Sequence, residues 1–299
     1  MNLIKYRNIF YLFSLIIIIP GIIALTAWNL KLGIDFSGGT LWEIKFEERN
    51  SVSAQELRDF LLLENADVSQ ISSTNQNSIL LRTKVTDESK IAEIKGQLNK
   101  SFGKTQDLRL ETVGPTISKE LTQKAMLAVG AAILGIVFYV TWAFRKVEKP
   151  VSGLSFGICT IVALVHDVIV VVGIFAILGH YFQIEVDSLF ITAILTVVGF
   201  SVHDTIVVFD RIRENLKKYS GQPFENIVNN SILQTLTRSL NTSLTAVFVL
   251  LALLIFGGEP IRYFVLALLI GIISGTYSSI FNASPLLVTW QNFRKKIRK

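Results

Sequence analysis

Apolar residues gather in six blocks with polar punctuation between them, and one long polar stretch follows the first block. Ile9–Trp28 is an apolar run of about 20 residues, enough to cross a bilayer and long for a signal-peptide core. Ala24-Leu-Thr-Ala27 imitates a cleavage site, but an uncleaved anchor with Lys5 and Arg7 on its inner side agrees better with the bases flanking the later spans. Ala125–Phe144, Val151–Leu178, Ser188–Phe209, Ser239–Phe256 and Tyr263–Trp290 are then spans two to six. Asn282 and Pro285 interrupt the last of these, which neighbouring helices or water must compensate.

Residues 29–120 switch to a shorter period. Alternation marks strands at Leu41–Glu47, Val68–Thr74, Ser78–Lys84 and Leu108–Val113, with Trp42, Ile44 and Phe46 on one face. Helical spacing marks Ser53–Glu64 (Leu57, Phe60, Leu61) and Glu88–Phe102 (Ile91, Ile94, Leu98). Ser53 with Glu56 three residues on reads as a capping box. The order βαββαβ is that of a ferredoxin-like module. The predicted fold is therefore a polytopic α-helical membrane protein: six transmembrane helices plus one α+β ferredoxin-like extracytoplasmic domain. Its divisions are 1–28, 29–120 and 121–299.

Composition supports the class. The 299 residues are 51% hydrophobic and 17% charged, too apolar for a soluble protein of this size. The net charge of +6 does not indicate nucleic acid, because the bases cluster beside spans and no recognition motif appears. Cys159 is the single cysteine, so no disulfide framework or thiolate metal site is expected. Lys5, Arg7, Arg145, Lys146, Lys149, Arg211, Arg213, Lys217, Lys218 and Arg294–Lys299 fall on one side, which places both termini in the cytoplasm. Between spans four and five, Pro223 begins a predicted short amphipathic helix, with Phe224, Ile227, Val228, Ser231 and Ile232 on the face meeting the inner interface. Gly271 and Gly275 form a small-xxx-small pattern for close helix approach.

Ionisable residues inside spans carry the candidate chemistry, because each costs a few kcal/mol or more in hydrocarbon. These are His166 and Asp167 in span three, His203 and Asp204 in span four, and Arg238 at the inward start of span five. At about 1.5 Å per residue, Asp204 lies about 25 Å from its outer helix end and Arg238 about 27 Å from its own. Matched depth on consecutive antiparallel spans predicts an ion pair whose opening would change the protonation of Asp204. A static pair that only fixes register is the plainer alternative. Ser201, Thr205, Ser239, Asn241, Thr242, Ser243 and Thr245 would line a water chain. His166-Asp167 reads equally as a structural pair tied to a neighbouring helix. Asp210–Glu214 reads as an interfacial charge cluster. Val-His-Asp occurs at 165–167 and again at 202–204, through a weak repeat or common packing demands. Gly33–Thr40 reads as a tight turn entering the first strand.

The motifs GIDFSGGT at 33–40, His166-Asp167-Val168, VGFSVHDTIVVFDRIREN at 198–215 and Arg238 in TLTRSLNTS together resemble the SecD/SecF family of protein-export membrane subunits, within the RND transporter superfamily. That resemblance implies an accessory, non-enzymatic subunit of the Sec translocase in the cell inner (plasma) membrane. It would work with SecD and the SecYEG translocon on translocating preproteins, using the proton-motive force late in translocation and no cofactor. It assigns proton coupling to Asp204 and Arg238, with His203, His166 and Asp167 beside them. His203 departs from the asparagine that many relatives carry before the acid, so its titration would alter the pH response. Two other classes compete. An intramembrane aspartyl protease would use Asp167 and Asp204, yet both acids follow Val-His and the protease motifs are missing. A small-molecule exporter half of the RND type would require a longer chain with two large outer domains.

Overall fold

The computed structural model describes residues 2–47, 52–63, 68–73, 78–84 and 87–297. Expectations placed on Glu64, Thr74, Arg298 and Lys299 lie outside the described residues. In chain order, a 3-10 turn at Ile4–Tyr6 leads into α1 (Arg7–Trp28), and a single turn α2 (Ile34–Ser37) precedes β1 (Gly39–Phe46). Next come α3 (Ala54–Leu63), β2 (Val68–Ser73), β3 (Ser78–Thr83), α4 (Glu88–Phe102) and β4 (Thr105–Val113). The remaining long helices are α5 (Pro115–Ala143), α6 (Gly153–Phe182), α7 (Ser188–Lys218), α8 (Phe224–Phe256), α9 (Arg262–Ser278) and α10 (Ser284–Ile297). Among the described residues, six helical segments are long and apolar enough to cross a membrane, the last joining α9 and α10. The chain divides into two compact units, Met1–Lys31 with Met126–Lys299, and Leu32–Ala125.

The smaller unit is held by hydrophobic burial. Its sheet has the order β2-β3-β1-β4, with every neighbouring pair antiparallel, which is the ferredoxin-like arrangement. Trp42 faces Leu81 and Ile44 faces Ile79 across β1 and β3. These side chains pack with Leu57 and Leu61 of α3 and with Ile91, Ile94 and Leu98 of α4. Each large apolar side chain so buried contributes about 1.5–3 kcal/mol. The Trp42 indole N–H donates to Asp107 at 3.0 Å, so the ring is buried without losing its polar partner. The Glu56 amide donates to Ser53 Oγ at 3.0 Å, the N-cap bond of the expected capping box. Gly33–Thr40 is more regular than a bare turn: α2 ends at Gly38 (φ 73°), and Gly39 (φ 114°) begins β1. A Cβ on Gly39 would fall 2.5 Å from the Thr83 carbonyl oxygen, which fixes glycine there.

In the membrane unit, burial from water cannot drive helix against helix, so close packing and hydrogen bonds must. Small residues provide the approach. A Cβ on Gly173 of α6 would lie 2.5 Å from Gly21 Cα of α1, and one on Gly271 of α9 would lie 2.1 Å from Val197 Cγ2 of α7. The segment from Phe224 departs from expectation. It is no separate interfacial helix but the first turns of α8, which runs unbroken to Phe256. Phe224, Ile227, Val228, Ser231 and Ile232 are buried inside the unit, because the predicted apolar face continues the helix's own packing stripe. Span six does break where expected. A π turn at Ser279–Ala283 separates α9 from α10, and Pro285 follows it as the second residue of α10.

Gly271→Val should over-pack the α7–α9 contact by about 1–3 kcal/mol and lower the melting temperature of the purified protein. In the smaller unit, Asp87 caps α4; the Ser89 hydroxyl and amide that donate to it hold its carboxyl below the ordinary value of 3.8. A depressed folded-state pKa adds stability above the unfolded value, and that stability is lost as pH falls through the folded one. Amide-exchange protection of α4 should therefore drop in Asp87→Ala at pH 7, and the difference from the parent should shrink below about pH 4.

Candidate functional site

The ionisable residues of the spans fall into two unlike sites. Asp167, on α6, has 0% exposure. A charge buried so far must be paired or hydrogen-bonded, and four donors converge on it. Ser201 Oγ of α7 donates at 2.6 Å, and Ser274 Oγ and Ser278 Oγ of α9 each donate at 2.7 Å. His166 Nδ1 lies at 2.9 Å. Since a carboxylate only accepts, Nδ1 donates. The chain extends further: Asn282 Nδ2 donates to Ser14 Oγ of α1 at 2.7 Å, leaving that hydroxyl to donate to His166 Nε2 at 3.1 Å. Ser274 and Ser278 are one turn apart, so both point at the same carboxylate. Asp167 thus ties α1, α6, α7 and α9 together.

Asp204, on α7, is equally shielded at 1% exposure but far less attended. Ser243 Oγ of α8 donates to it at 3.2 Å, and Thr276 Oγ1 of α9 donates onward to Ser243 at 2.6 Å. His203 Nδ1 stands 3.5 Å from the other carboxylate oxygen, with 59% of its side chain exposed. A buried carboxylate with one hydroxyl donor, touched by an imidazole that reaches the outside of the chain, is equipped to exchange a proton.

The expected Asp204–Arg238 ion pair is absent among the described residues. Arg238 is exposed, and Ser243 takes the place opposite Asp204. Two geometric facts explain the error. Residues 238 and 239 differ by about 100° around α8, and Ser239 and Ser243 occupy the buried stripe. Ser243 is also five residues farther along, so counting from helix ends missed by about 7.5 Å. The expected water-chain hydroxyls also divide. Ser201 belongs to Asp167, Thr205 bonds Ser279 at 2.8 Å, and Asn241, Thr242 and Thr245 are exposed beside Arg238. Asp210–Glu214 forms the ion pairs Arg213–Asp210 (2.5 Å) and Arg211–Glu214 (2.8 Å), both substantially exposed. Sequence reasoning missed Ser14, Ser274, Ser278 and Thr276. Their only signal is hydroxyls spaced one turn apart in apolar helices, which also reads as small-residue packing.

Six spans, a ferredoxin-like insertion after the first and paired acids in adjacent helices define a multi-pass membrane protein of the transport class. The family model for the protein export membrane protein SecD/SecF, C-terminal, matches residues 93–293. The protein translocase subunit SecF of Thermobaculum terrenum is 50% identical, over 97% of this chain and 94% of its own. SecF of Anaerolinea thermophila is 42% identical, over 98% of this chain and 94% of its own. A crystal structure of SecDF, a translocon-associated membrane protein from Thermus thermophilus, superposes with a TM-score of 0.83 at 35% identity; it covers 98% of this chain, which spans 39% of the SecDF chain. The chain belongs to the SecD/SecF family of protein-export membrane proteins.

Asp167→Ala would strand three hydroxyls and an imidazole in the core, so a loss of about 3 kcal/mol or more is expected. Ser274→Ala removes one of four donors and should cost about 1 kcal/mol. Denaturation of the two purified variants in detergent checks the order.

Proposed function

We propose that the chain is an accessory subunit of the Sec translocase that uses the proton-motive force to assist late preprotein translocation, with Asp204 as the proton carrier. The carrying observation is the contrast between two equally buried acids: Asp167 is saturated by four donors, whereas Asp204 has one hydroxyl donor and a half-exposed imidazole. Loading or unloading Asp204 would change its bond to Ser243, and so the fit of α7 against α8. A proton crossing the membrane potential supplies about 2.3 kcal/mol per 100 mV for that work. On this reading both termini are cytoplasmic in the inner membrane, the ferredoxin-like domain meets preproteins outside, and no cofactor takes part.

The partner side of the proposal rests on α8. Arg238, Asn241, Thr242 and Thr245 recur at helical spacing and are all exposed in this chain. A guanidinium facing hydrocarbon is costly, so this stripe would be covered by polar groups of a second subunit. SecDF of Bacillus subtilis is 38% identical over 95% of this chain, which covers 37% of that longer protein. A separate SecD subunit, beside the SecYEG translocon, is the proposed partner.

Asp204→Asn and Arg238→Met should each abolish proton-motive-force-dependent stimulation of preprotein export into membrane vesicles, with SecD still co-purifying. Undiminished stimulation in Asp204→Asn would remove Asp204 from the role.

A further inference from the structure

We infer that the N-terminal end of α6 and the last turns of α10 form a binding site for a phosphate group, supplied by the headgroup of an anionic phospholipid. A cavity of about 370 Å³ opens here, within the size range of small-ligand sites. Lys149, Arg294 and Lys295 line it, and no carboxylate does. Ser152 and Ser155 add hydroxyls 3.1 Å apart. Ser152 is the residue before α6, yet its side chain makes no capping bond to that helix. The α6 N-terminus therefore sets its positive dipole end beside three cations, which together favour an anion.

The second observation concerns donors that the protein itself leaves unmet. Gln291 lines the cavity, is only 5% exposed, and its amide Nε2 has no hydrogen-bond partner. The indole Nε1 of Trp290, also lining the cavity, has none either. Two buried N–H donors without acceptors carry a desolvation cost that a bound oxyanion would relieve. Bases in the last turn of α10 would be explained by the helix dipole alone. That explanation leaves the glutamine, the indole and the uncapped α6 unaccounted for. A phosphate answers all of them, and a lipid brings it to a cavity walled by an interfacial tryptophan and membrane-helix ends.

The test uses the full chain in phosphatidylcholine nanodiscs with increasing phosphatidylglycerol, read by melting temperature. Phosphatidylglycerol should raise the melting temperature of the parent, and the double variant Lys149→Gln/Arg294→Gln should need on the order of tenfold more lipid for the same rise. Gln291→Leu should also lose the rise, while its melting temperature in pure phosphatidylcholine stays equal or increases, since a stranded donor has been removed. Inorganic phosphate added in detergent is the second arm. A rise with phosphate alone that the variants lose would uphold the site and name the free ion as its source. No rise with either probe, or an equal rise in parent and variants, would overturn the inference.

Discussion

A carboxylate buried in hydrocarbon is the constraint on which the membrane unit depends. Asp167 cannot remain there without donors, and its own helix supplies only His166. The other three donors come from α7 and α9, so those helices must approach within hydroxyl reach. Serine is short, and short donors require close backbones. Gly275 permits this: a Cβ there would lie 2.9 Å from the Cβ of Ser201, itself a ligand of Asp167. Glycine and serine in these helices are thus one device. The small residues bring the backbones together, and the hydroxyls satisfy the charge that the approach has buried. Ser14 extends the same logic to α1 through His166.

The same three residues, Val-His-Asp, have opposite consequences in α6 and α7. In α6 the histidine is buried and completes the cradle around the acid beside it. In α7 the histidine is mostly exposed and stands 3.5 Å from its acid. Position in the bundle decides this: α6 is flanked by α1, α7 and α9, whereas α7 at Asp204 meets α8 through a single serine. On the proposed reading, the first site holds the bundle fixed so that a proton at the second is felt as displacement of α7 against α8. A movable acid needs an immovable neighbour.

Much of this was legible in the sequence. Hydrophobic blocks located every span, and period-two alternation located the strands and the buried face of β1, because burial itself creates those periods. The acids were legible because charge is rare in such blocks. Their partners were not. Ser274 and Ser278 look the same whether they pack or donate, and only the rotation of α9 about its axis separates the two. Arg238 failed for a related reason: counting from helix ends placed it about 7.5 Å from the residue that meets Asp204, and azimuth requires knowing which neighbour the helix packs against. The run from Phe224 failed because its amphipathic pattern is the same for a helix lying on lipid and for one packed into protein.

On the proposed reading, Arg238 points to a second subunit. A self-sufficient membrane protein would direct a guanidinium inward, toward an acid or an aqueous cavity. Here Arg238 is turned out of the chain, and Asn241, Thr242 and Thr245 share its face. Lipid is a poor solvent for that stripe, whereas a second helical bundle carrying its own acid is a good one. The chain spans 39% of the Thermus thermophilus SecDF chain, so there the rest of the same polypeptide remains to supply such a bundle. The exposed arginine would then be an interior residue of the assembled pair, buried only when both halves are present. On that account, proton exchange at Asp204 is a property of the assembly, because the half-exposed His203 beside it would also lie under the second subunit or beside the water it admits.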